Sequence, residues 1–161
     1  MRGGVLPPAL LFAALGLALA FAPLRARLWS LVALVGILAS VLRVNLPPDW
    51  LEMAFLGCWI STAITAAAVH LPRGLGLSGS VALAVNAGVW AHMVVAFSGV
   101  PSDAFWALLA VTVIVPAAGL IALNASIAIK VASSWLIAIA VLAGTLPFLH
   151  VTPGYLPDHL E

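Results

Sequence analysis

The sequence predicts an all-α fold, a polytopic transmembrane bundle of about six helices joined by short loops, as a single integral membrane domain over residues 1–161. Two observations carry this. The first is composition: 65% of residues are hydrophobic, 7% are charged, and the mean hydropathy is +1.24. Soluble domains carry about 25% charged residues, and a globule with so few could not cover its surface in water. The solvent is therefore lipid. The second is segmentation: apolar stretches approach the roughly 20 residues needed to cross the hydrocarbon core, with Pro, Gly and charge between them.

Taken in order, the segments run over about residues 6–22, 28–44, 50–70, 77–98, 104–123 and 127–150. Pro23 with Arg25 and Arg27 closes the first, and Pro47-Pro48 separates the second from the third. His70-Leu71-Pro72-Arg73-Gly74 and Gly99-Val100-Pro101-Ser102-Asp103 make the next two breaks. Between residues 122 and 130 there is neither Pro nor Gly, and a tight turn is expected at Asn124, a residue that tolerates the left-handed conformation after a helix. A re-entrant or long tilted segment there is the alternative. Asp49 followed by Glu52 has the pattern of an N-cap with an acid three residues on, and Ser102-Asp103 repeats it. Ala20-Phe21-Ala22 has the small-residue look of a signal-peptide cleavage site, but Pro23 and the basic flank favour a retained helix.

Loop charge sets an expected orientation. Arg25, Arg27, Arg73 and Lys130 fall on one side without an acid; Arg2 and Arg43 share the other with Asp49, Glu52, Asp103, Asp158 and Glu161. Positive charge marks the cytoplasmic side, so both termini are expected to face away from the cytoplasm. The Ala-, Leu- and Val-rich composition fits a bacterial inner membrane. Trp29, Trp50, Trp106 and Tyr155 fall at expected interfaces; Trp59, Trp90 and Trp135 lie deeper.

The fourth segment holds the best site candidates. Ser80, Ala84, Gly88, His92 and Ala96 recur every fourth residue, a small-residue face that should bury against another helix. Gly57 with Ser61, and Gly16 with Ala20, form shorter pairs of the same kind, and Pro116 should kink the fifth helix. His92 lies inside the apolar span. Intramembrane ionisable groups are costly and often functional, so His92 is a candidate cofactor ligand, proton relay or metal ligand; a neutral histidine bonded to a neighbouring helix is the plain structural alternative. A mixed site with His150 and Asp103 is conceivable. No particular haem, pigment or lipid is specified. Asn86 and Asn124 are candidates for inter-helix hydrogen bonds, or for a solute pathway with His92. Lys130 is expected to snorkel to the interface. The lone Cys58 excludes an internal disulfide.

Gly76-Leu77-Ser78-Gly79 resembles the GxSG motif of rhomboid intramembrane proteases, which also have a six-helix core with the serine at the start of the fourth helix. The resemblance covers this motif and the helix count. It implies a nucleophile at Ser78. Lys130 stands where those proteins carry a histidine, so the implied pair is a Ser78–Lys130 dyad with a desolvated lysine as base. The histidine and asparagine of their second helix have no match over 28–44, and the charge count puts Ser78 on the opposite side. On the residues alone, Ser78 reads as an N-cap.

Three function classes follow. The first is a non-catalytic accessory or assembly subunit of a larger membrane protein complex. The second is a small-solute or ion transporter or channel using Asn86, His92 and Pro116. The third is an intramembrane hydrolase at Ser78 and Lys130. Expected partners are the lipid bilayer and other membrane subunits or further copies of the chain; a net charge of +1 gives no bulk attraction to nucleic acid.

Overall fold

The computed structural model describes residues 5–40, 48–72, 74–98 and 102–148. Among them the chain is helical with no strand. Its rods are α1 (Leu6–Leu19), α2 (Leu24–Ser40), α3 (Leu51–Ala67), α4 (Leu77–Ser98), a rod made of α5 (Ser102–Leu108) and α6 (Ile114–Ala122), and α7 (Ser126–Thr145). Short 3-10 turns flank α3 and follow α7. With those extensions, four rods are long and apolar enough to cross a membrane: Leu51–His70, Leu77–Phe97, Ser102–Ala122 and Ser126–Phe148.

The short first helix is the centre of the bundle. It packs against α3, α4, the α5–α6 rod and α7, and Leu11, Phe12, Leu15 and Leu19 are fully buried. A helix apolar all round belongs in a core. At 14 residues it is about 21 Å long, short of the roughly 30 Å hydrocarbon thickness. Protein surrounds its ends, so they need not reach the membrane surface. Pro7 and Pro8 sit in the first turn, where a missing amide hydrogen leaves no helical bond unmade. At the other end the Arg27 guanidinium donates to the carbonyls of Ala22 (Nε, 2.8 Å) and Ala20 (Nη2, 2.7 Å).

The same contact corrects a boundary. α2 begins at Leu24 rather than near 28, so Arg25 and Arg27 lie in its first turn, and Arg27 reaches back over the turn that ends α1. α2 then leans on α4. Its expected end at 44 lies outside the described residues.

Phe21, Val69, Leu75, Ile121 and Ile129 pack in one cluster, which brings the α1–α2, α3–α4 and α6–α7 connections to one end. A larger cluster runs the length of the bundle, from Val5, Ala54, Phe97 and Ala107 to Ala22 and Leu75. At the other end α5 packs against α1 and α4. The rods therefore run up and down. Arg25, Arg27 and Lys130 belong to the first end, and Asp49, Glu52 and Asp103 to the second.

The expected turn at Asn124 is a Schellman cap. Asn124 has φ 58°, its amide donates to Ile121 (3.0 Å), and the Ala125 amide donates to Leu120 (2.8 Å). Where a kink is expected at Pro116, the rod shows a 3-10 segment, Leu109–Val113, ahead of the proline. Pro116 has no amide hydrogen for the Thr112 carbonyl, and the winding tightens to bonds three residues apart. Gly16 of α1 meets this segment: a Cβ there would lie 3.0 Å from the Val111 carbonyl oxygen and 3.3 Å from the Ile114 nitrogen.

Three expected caps are corrected. Helical winding starts at Pro48 as a 3-10 turn, so Asp49 lies inside it and Trp50 holds the cap position of α3 with no side-chain bond. Ser102 is the first residue of α5, leaving Asp103 as an acid in the first turn. In α4 the Gly76 carbonyl takes the first helical bond, from the Ser80 amide at 3.0 Å, so Ser78 is inside the helix.

Asn124 is an exposed test of the turn. Asn124→Gly should leave stability nearly unchanged, whereas Asn124→Val, forced into a left-handed conformation, should lose about 1–2 kcal/mol in a reversible detergent unfolding titration.

Candidate functional site

Polar chemistry inside the membrane span concentrates on α4 and the helices beside it. The stripe Ser80, Ala84, Gly88 and His92 is buried, while Ala96 is exposed, one turn beyond the contact. The stripe meets α2: a Cβ on Gly88 would lie 3.0 Å from Ile37 and 3.3 Å from Leu34. α2 and α4 both start at the basic end and run parallel, so Ala26, Ser30 and Leu34 form the opposing face. Ser30 and Ser80 are fully buried and their hydroxyls find no partner among the described residues. Their small size is what this seam uses.

His92 is 7% exposed, and its ring bonds to no group among the described residues. His70 is exposed, and His150 lies outside the described residues. Among the described residues no three His, Cys, Asp or Glu side chains converge as a metal site would need.

The α3–α4 seam is built from two matched pairs. The Trp90 ring lies over Gly57, so closely that a Cβ at Gly57 would fall within the ring. One turn along, Asn86 Nδ2 donates to Ser61 Oγ. A bulky residue opposite a glycine and an amide opposite a hydroxyl, each four residues apart and in reverse order, lock two antiparallel helices in register. On the outer side of this seam two grooves of about 260 and 600 Å³ open toward lipid, and Asn86 and Ile64 line both. Asn86 is half-buried near the middle of α4 and keeps an amide oxygen that accepts no bond among the described residues.

The other expected site residues are not drawn together. Asn124 is exposed and serves its turn. Ser78 and Lys130 are both exposed, on helices α4 and α7 that do not pack on each other, and no hydrogen bond joins them. Pro116 is exposed on the rod that faces α1 from the other side. The centre of the bundle is filled by the apolar side chains of α1, so Asn86, His92 and Pro116 do not share an interior path.

No family model, no curated protein and no solved structure matches the chain. Its function is argued from geometry alone.

Sequence reasoning found Asn86 but missed its partner, because Ser61 was read only as a small residue. The signal was present: Gly57-x3-Ser61 and Asn86-x3-Trp90 have the same spacing, with large and small residues exchanged.

Gly57→Ala should push against the Trp90 ring and lower stability by about 1–3 kcal/mol. Trp90→Ala in the same chain should remove most of the added penalty of the Gly57 change, a coupling that a double-mutant unfolding cycle in detergent would read out.

Proposed function

We propose that the chain is a non-catalytic accessory or assembly subunit of a larger membrane protein complex, and that it docks through the outer face of the α3–α4 seam. The observation that carries this reading is Asn86, an amide at mid-membrane depth in a groove that opens outward. An inter-helix hydrogen bond in a membrane is worth roughly 1 kcal/mol. A polar group left facing hydrocarbon costs several kcal/mol. The bond to Ser61 therefore does not offset the exposure of the rest of the amide, whereas a partner helix in the groove would supply both cover and a second hydrogen bond. The apolar α1 at the centre supports the same reading over transport through a single chain, since the polar groups stand at seams.

A photo-crosslinking residue at Ala82, an exposed position lining the groove beside Asn86, tests the docking face in native membranes. The expected result is one discrete adduct with a different polypeptide, lost in Asn86→Leu. Adducts with lipid alone, or one that survives Asn86→Leu, would contradict it.

The membrane we propose is a bacterial inner membrane, with the basic end of the bundle in the cytoplasm and the acidic end outside. Cys58 is the only cysteine and is buried, which leaves a low background for labelling. In intact spheroplasts a membrane-impermeant maleimide should label Asp49→Cys and spare Arg25→Cys; the reverse pattern would invert the orientation.

A further inference from the structure

A second feature opens on the α7 side of α3. Between the start of α3 and the end of α7 a wide compartment of about 640 Å³ opens at the acidic end, and a narrower one of about 300 Å³ continues from it toward the membrane interior. Leu56, Trp59, Gly144 and Phe148 line both, so they form one trough. Its deeper wall, which includes Ile60 and Val141, is apolar. Gly144 keeps the floor low: a Cβ there would already lie 3.5 Å from Trp59 Cβ.

Three polar groups mark the upper part of this trough. Glu52 lines the mouth and is exposed. The Ala143 carbonyl is left without its helical donor, because the residue four positions on is Pro147 and the Leu146 amide is taken by Leu142. Trp59 is 9% exposed, yet its indole N–H donates to no group among the described residues. Its nitrogen is not among the buried unpartnered atoms, so the N–H stays accessible to an acceptor at the trough that Trp59 lines.

We propose that this trough binds a phospholipid with a primary ammonium headgroup, of the phosphatidylethanolamine class. The ammonium meets the Glu52 carboxylate and the Ala143 carbonyl, which supply negative charge and hydrogen-bond acceptors. Trp59 is seven residues below Glu52 on α3, about 10 Å deeper, a level that suits the ester carbonyls as acceptors for its N–H. The acyl chain continues into the apolar compartment, whose lining on α3 reaches Ile64, about 18 Å below Glu52. Choline lacks the N–H donors of ethanolamine, and phosphatidylglycerol carries net negative charge toward Glu52. The site therefore discriminates by headgroup, which a merely greasy groove does not.

The test is native mass spectrometry of the full chain in mild detergent, titrated with phosphatidylethanolamine, phosphatidylcholine and phosphatidylglycerol of identical acyl chains. Phosphatidylethanolamine should be retained about tenfold better than phosphatidylglycerol, a difference of one decade in Kd. Glu52→Gln should bring it down to the level of phosphatidylcholine. Trp59→Phe, which keeps the ring and removes the donor, should weaken all three lipids together. Equal retention of the three by the wild-type chain, or an unchanged preference in Glu52→Gln, would overturn the proposal. So would efficient disulfide dimers of Val141→Cys formed in the membrane, since a second copy would then occupy the trough. The α3–α4 docking face is untouched by these variants, so the two readings stand or fall separately.

Discussion

In hydrocarbon every backbone amide and carbonyl has to find its partner within the protein, and the rest of this structure depends on that requirement. It is why the described chain is helical throughout and why its helix ends are so closely managed. The ends of α1 illustrate it. Its last residues, Ala18, Leu19 and Ala20, are buried, so the carbonyls there look to the protein for donors. Arg27 supplies the donors from the next helix, and prolines remove surplus donors at the start. At the α6–α7 turn Asn124 adopts the left-handed conformation that lets two amides satisfy the carbonyls of the preceding helix.

Satisfying the backbone does not by itself pack the helices, since lipid tails are as apolar as the side chains they meet. Association here comes from close fit and a few polar contacts. Gly16 brings α1 against the 3-10 segment of the α5–α6 rod, Gly88 brings α4 against α2, and Gly57 admits the Trp90 ring. The result is a centre closed by the leucines and phenylalanine of α1, with polar groups moved to the seams around it. This arrangement separates the candidates the sequence offered as one pathway: Asn86 opens outward, His92 is buried, and Pro116 shapes the opposite wall. Function argued from this geometry is therefore a matter of what binds at the seams.

The architecture was largely legible in the sequence because hydrophobic length and punctuation act locally. Pro23 marks a break whatever surrounds it, and Asn124 carries its own turn chemistry; the breaks expected at Pro47 and over 99–101 fall outside the described residues. Arg27 was misplaced because its role as a cap depends on how the turn before α2 presents the Ala20 and Ala22 carbonyls. The expected caps at Asp49 and Ser78 failed for a related reason: each N-cap pattern fits several neighbouring positions, and the winding chose its start from Pro48 and Gly76. The central place of α1 was not legible at all. All the segments are apolar, so hydropathy cannot rank them from centre to rim, and pairing between helices is a non-local choice. Site residues were legible one at a time, as with Asn86, but their partners Ser61 and Trp90 depend on that same pairing.

The most direct test of the central claim is labelling by a small hydrophobic diazirine dissolved in the bilayer around the reconstituted chain, followed by peptide mapping. The account predicts carbene insertion at the lipid-facing positions Val35, Ile64, Val115 and Trp135, and protection of Leu11, Phe12, Leu15 and Leu19 in α1. Labelling of α1 as heavy as that of α7 would contradict it, because the first helix would then face lipid and could not be the core on which the others pack.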